Sequence, residues 1–184
     1  MVPGALVLAS SSPQRKAILE QLGVDFTVQA ASVDELEQGD PRALVIENAL
    51  RKARAVKGAR VLGADTAVAI DGRVYGKPRD SQQARRYLER LNGKKHQVWS
   101  GIALVDEDGT EQTAAAVTYV TFRDLKPAEI EWYVGTGEWR ERAGAYAVQG
   151  RGAALVERID GDFWNVVGLP VPELLRLVPD LLHR

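Results

Sequence analysis

The chain has 184 residues, 45% hydrophobic and 27% charged, enough for one globular domain, residues 1–184, with a sizeable core. Its 24 basic residues stand against 25 acidic ones, so it lacks the basic excess with which DNA- or RNA-tracking proteins neutralise phosphates, and no nucleic-acid polymer is expected as partner. With no cysteine, disulfides, thiol nucleophiles and cysteine-held metals are excluded; His96 and His183 stand far apart in the chain, so any metal is expected on oxygen ligands, which favours Mg²⁺ or Mn²⁺.

No apolar run approaches the ~20 residues of a membrane span. The first dozen or so residues carry no positive stretch ahead of their apolar ones, so they read as a first strand rather than a secretory signal. A soluble protein of the reducing cytoplasm is expected.

In chain order, 5–10 (ALVLAS) is a buried strand, and Ser12-Pro13 starts a helix with serine as N-cap and proline at the first position. Ile18, Leu19 and Leu22 give that helix its inner face, and Gly23 ends it. A second strand over 26–29 is followed by an acidic loop, 34–37. Asp40-Pro41 opens a helix with Val45, Ala49, Ala53 and Val56 on one side. A strand over 61–65 resumes the sheet, and 67–75 folds back through Asp71-Gly72, a hairpin signal. A helix over 80–91 turns Ala84, Tyr87, Leu88 and Leu91 inward. Strands over 98–105 and 116–122 meet near Asp108-Gly109, then a short helix covers 127–134, a strand 153–159 and a terminal helix 171–182. Helices alternating with several hairpins imply a mixed α/β domain, with two lobes around a cleft as one arrangement.

Four stretches have the chemistry of a phosphate site. Ser10 to Lys16 runs from a strand through hydroxyl residues into a helix start, so hydroxyls, loop amides and Arg15 could cradle phosphate; it also reads as an N-cap with a solvated basic turn. Asp65, in Gly63-Ala64-Asp65-Thr66, ends an apolar strand and could hold a metal or take a proton from water, or close an Asp-Thr turn. Lys77 stands between Gly76 and Pro78; it, Lys52 on a helix and Glu35 in the acidic loop could equally be solvated charges. Gln149, in 144–150, offers an amide suited to a pyrimidine edge, or belongs to a glycine-rich connection. Trp132, Trp139 and Trp164 read as core or interface residues.

The order of these blocks resembles the Maf family of nucleotide pyrophosphatases, the septum-formation-inhibitor-like proteins, over nearly the whole chain. The resemblance is carried by Leu8 to Pro13, Val33-Asp34-Glu35, Glu47 with Lys52-Ala53, Gly63 to Thr66, Gly76-Lys77-Pro78, Ser100-Gly101, Gly137-Glu138-Trp139, 143–150 and 165–170. It implies the fold of the inosine-triphosphate pyrophosphatases, with two lobes around a deep cleft. It also implies a cytoplasmic homodimer that converts a nucleoside triphosphate to the monophosphate and pyrophosphate with a divalent metal. By resemblance Asp65 is the general base, and Glu35, Lys52 and Lys77 serve metal or phosphate. With the local reading of the residues, the expectation is that Glu35 and Asp65 hold the metal and that Ser10, Ser12 and Arg15 bind substrate. Thr66 and Gln149 resemble the branch acting on dTTP and UTP, whereas Gln14 departs from that branch's arginine. Two alternatives stay open: a nucleotide-binding regulator of cell division with vestigial hydrolysis, and a purine pyrophosphatase of the inosine-triphosphate class.

Overall fold

The computed structural model describes residues 6–182; His183 and the first residue of the 5–10 run lie outside the described residues. β1 (Leu6–Leu8) leads to Ser12, whose hydroxyl accepts from the Arg15 amide and starts α1 (Pro13–Gln21). After β2 (Phe26–Val28), the Asp40 carboxylate accepts from the Ala43 amide and caps α2 (Pro41–Arg54). β3 (Arg60–Ile70) runs unbroken through the boundary that the sequence suggests near Thr66, and β4 (Arg73–Tyr75) folds back on its end. The strand continues because β5 (Lys95–Asp106) pairs with it from residue 60 to 69, facing Asp65 with Gly101 and Thr66 with Ser100. α3 (Ser81–Leu91) lies between these strands in sequence and buries Ala84, Leu88 and Leu91. β6 (Glu111–Phe122) completes a hairpin with β5 longer than the expected one, and α4 (Pro127–Thr136) follows.

The last third departs from the sequence reading in three places. The strand expected over 153–159 begins only at β7 (Val156–Asp160), and residues 151–155 form a 3₁₀ turn. The reason is a side chain: Glu138 takes the amides of Arg151 and Gly152, each at 2.9 Å, in place of a neighbouring strand. α5 (Phe163–Val167) is unforeseen, since five residues are too few to display a helical period. α6 (Val171–Leu177) stops short of 182 because Pro179 disfavours helical geometry at Val178, which sits at φ −128°, ψ 75°.

Among the described residues, one mixed sheet runs in the order β2-β1-β3-β5-β6-β7, with β4 added to β3. β1 is parallel to β2 and β3, and the other pairings are antiparallel. β5 occupies one edge of β3, so β1 and β4 must share the other, β1 against 60–62 and β4 against 68–70. Residues 63–67 lie between them, and the sheet forks there. Leu62 and Ala64 pack with α1 and α6 around Leu8, Ile18 and Leu174, whereas Val68 and Ile70 pack with α3 and α4 around Leu88, Phe122 and Tyr133. Two lobes share the long central strands, and the fork between them is the floor of a cleft.

Candidate active site

α2 lies against the sheet where side chains are missing. A Cβ on Gly63 would stand 2.0 Å from the Ala49 carbonyl oxygen, and one on Gly101 2.5 Å from the Val45 carbonyl. Gly101 is the cross-strand partner of Asp65. This close approach brings Asn48 and Lys52, one helical turn apart, onto the face of β3 that carries Asp65. Lys52 Nζ meets Asp65 Oδ1 at 2.7 Å and Glu35 Oε1 at 3.1 Å. Asn48 Nδ2 donates to Asp65 Oδ2 at 3.0 Å. The same amide group clasps the acidic loop, donating to the Leu36 carbonyl at 3.0 Å and accepting from the Leu36 amide at 2.7 Å. Asp65 and Lys52 are buried, and Glu35 is more open, its side chain 39% exposed.

Thr66 alternates to the opposite face of the strand, toward α1. There Arg15 is buried and donates through Nε to the Gly168 carbonyl (2.8 Å), through Nη1 to Ser10 Oγ (3.1 Å) and through Nη2 to Thr66 Oγ1 (3.1 Å). Three of the five guanidinium N–H groups are thereby used, which leaves two for a ligand. Burial lowers the Arg15 pKa, and the charges of Asp65 and Glu35 oppose that shift. Ser10 Oγ also accepts from the Ser12 amide (3.2 Å), so its own O–H stays available as a donor. Behind Thr66, Ser100 Oγ lies at 2.9 Å and donates to the Asn165 carbonyl at 3.0 Å. The buried Asn165 amide nitrogen donates to the Val98 carbonyl and Thr118 Oγ1, so α5 closes the cleft floor.

The second lobe supplies the facing wall. Lys77 Nζ pairs with Glu141 Oε2 at 3.0 Å, and Arg142 Nη1 donates to Gln14 Oε1 at 2.7 Å. Gln149 stands exposed on a loop braced from below: Tyr133 donates to Glu138 Oε2 at 2.9 Å and accepts from the Ala147 amide at 3.0 Å. All ten residues singled out in the sequence line one cleft of about 190 Å³: Ser10, Ser12, Gln14, Arg15, Glu35, Lys52, Asp65, Thr66, Lys77 and Gln149. Asn48, Glu141 and Arg142 were not singled out, and Glu138 stood only in the Gly137-Glu138-Trp139 motif, with no role assigned to it. A helix-face asparagine one turn before a candidate lysine was the available signal for Asn48; the contacts of Glu141 and Arg142 are to residues distant in sequence. Of the tryptophans, Trp139 is buried, while Trp132 and Trp164 are exposed.

The cleft combines paired carboxylates, several cations and hydroxyl donors, which suits a polyphosphate. The family model described as Maf-like protein matches residues 5–181. The chain belongs to this family. Among Maf-like relatives, the dTTP/UTP pyrophosphatase of Symbiobacterium thermophilum is 49% identical over 179 residues, covering 94% of this chain and 92% of the relative. That of Pyrococcus furiosus is 42% identical over 185 residues, covering 97% and 96%. The solved nucleoside-triphosphatase, dITP/XTP pyrophosphatase, of Mycobacterium abscessus shares the fold at TM-score 0.50 and 14% identity, over 97% of this chain and 96% of that one.

Proposed function

We propose that this Maf-like chain hydrolyses dTTP and UTP between the α and β phosphates, releasing the monophosphate and pyrophosphate. The observation that carries the reading is Asp65, held from two sides by Lys52 and Asn48 on the floor of a cleft lined by cations. Its carboxylate orients a water and takes its proton as the water oxygen bonds to the α-phosphorus. The bridging oxygen leaves with pyrophosphate, and Lys52 and Lys77 stabilise the charge that builds there. The names of the dTTP/UTP pyrophosphatase relatives, together with Thr66 and Gln149 in the cleft wall, support a pyrimidine base.

A divalent cation, Mg²⁺ or Mn²⁺, belongs to the proposal. Glu35 and Asp65 converge on a single ammonium, at 3.1 and 2.7 Å, so their oxygens lie within reach of one cation. Among the described residues no third acidic or histidine ligand joins them, and substrate oxygens and water fit the remaining positions of a hard ion. Bound there, such an ion supplies Lewis-acid neutralisation of phosphate oxygens. The proposal also places the chain in the cytoplasm as a homodimer. No helix among the described residues is long and apolar enough to cross a membrane, and Phe163 and Trp164, packed edge to face, offer exposed apolar surface.

The test is steady-state pyrophosphate release over a panel of dTTP, UTP, CTP, GTP and dITP with and without Mg²⁺ or Mn²⁺. Preferred turnover of dTTP and UTP with metal supports the reading, preferred dITP replaces it with a purine enzyme, and no release with any nucleotide overturns it.

A further inference from the structure

The cleft wall contains four cations, and they are not equivalent. Lys52 is neutralised by two carboxylates and Lys77 by Glu141. Arg15 is buried and spreads its donors over three neutral acceptors. Arg142 is half-buried and its side chain makes no ion pair among the described residues; the one hydrogen bond of that side chain runs to the neutral Gln14 Oε1. Its Nε is buried without an acceptor, a desolvated donor that the fold tolerates rather than satisfies. The preceding Glu141 has φ 59°, a left-handed conformation rare outside glycine. Two neighbouring side chains on that turn thus make different contacts, Glu141 with Lys77 and Arg142 across the cleft with α1. Unpaired charge facing a polyphosphate cleft, and strain in the backbone that presents it, are both expected of a binding group.

We propose that Arg142, aimed by Gln14, is a substrate-binding residue that takes the β and γ phosphate oxygens of the nucleoside triphosphate and retains the pyrophosphate until release. The ligand's identity rests on the hydrolase reading; the anion contact does not. Gln14 accepts one hydrogen of Nη1 and leaves the other, with both of Nη2, for phosphate. A neutral amide suits this role because it orients the guanidinium without cancelling its charge.

The test compares wild type, Arg142→Met and Arg142→Lys by calorimetric binding of inorganic pyrophosphate and by KM and kcat for dTTP. Arg142→Met should weaken pyrophosphate binding and raise KM about tenfold or more, as loss of a charged hydrogen bond does. Tm should hold, and Arg142→Lys should restore part of both. A merely structural bridge between lobes would lower Tm and leave pyrophosphate affinity unchanged, and that outcome overturns the proposal. If wild type hydrolyses nothing, the hydrolase reading falls; loss of pyrophosphate binding in Arg142→Met would still support the anion contact, and its retention would overturn it.

Discussion

Asn48 Nδ2 donates to Asp65 Oδ2 at 3.0 Å while the rest of its amide is locked, both as donor and as acceptor, to Leu36. One buried side chain thereby ties the proposed general base to the loop that carries Glu35. Both oxygens of the Asp65 carboxylate are thus held from α2, Oδ2 by Asn48 and Oδ1 by Lys52.

Asn48→Ala should therefore affect activity and stability together. The Leu36 amide and carbonyl lose buried partners, which costs about 1–3 kcal/mol, and freed Asp65 misplaces the attacking water. We expect kcat to fall by about 10–10²-fold. Thermal melts beside steady-state kinetics check this, and a variant with lowered Tm and unchanged kcat would show that Asn48 only braces the loop.

Asp65→Asn should lower kcat by about 10²–10⁴-fold, the usual loss on removing a general base. Its circular dichroism spectrum should remain that of the wild type. Turnover near wild type would take Asp65 out of the proton-transfer step.

Gly101→Ala places a methyl group 2.5 Å from the Val45 carbonyl, so α2 must rise from the sheet. Overpacking of this kind destabilises by about 1–3 kcal/mol. Because Asn48 and Lys52 ride on the lifted helix, turnover should fall as well. A melt identical to that of wild type would show that α2 can retreat freely.

His96 is buried between Phe122 and Tyr146, its Nε2 at 2.9 Å from the Tyr146 hydroxyl. Desolvation pushes its pKa from 6.5 down to about 4. Well above pH 6.5 the imidazole is neutral in both folded and unfolded chains and contributes no pH dependence. As pH falls below 6.5 the unfolded chain takes up a proton that the folded one refuses, so stability declines until about pH 4, by an amount of order 3 kcal/mol. His96→Gln should flatten that part of the stability profile in denaturant titrations between pH 7 and 4; an unchanged slope would assign the acid sensitivity to other groups.

Gln149→Ala should shift the ratio of dTTP to GTP hydrolysis by about tenfold, since the contact proposed for its amide is to one base edge. Parallel competition assays with the two nucleotides read this directly. Equal losses for both would assign Gln149 to positioning rather than to base recognition.

The helix starts at Ser12-Pro13 and Asp40-Pro41 and the Asp71-Gly72 turn were legible because each depends on local backbone chemistry. The irregular segment 151–155 was not, because its amides are claimed by Glu138, more than ten residues earlier. α5 was too short for its period to register, and the early end of α6 followed from a proline whose effect falls on the residue before it.

The candidate site divides along the same line. The order of small motifs determined the family and the residue types of the cleft, since hydroxyl, carboxylate and ammonium groups carry their chemistry wherever they stand. Tertiary structure alone decided that Asp65 and Glu35 both pair with Lys52, that Asn48 holds Asp65, that Arg15 turns inward to Gly168, and that Arg142 meets Gln14 from the other lobe. Those relationships join residues far apart in the chain, and only the fork in the sheet, with α2 seated on Gly63 and Gly101, brings them within hydrogen-bond distance.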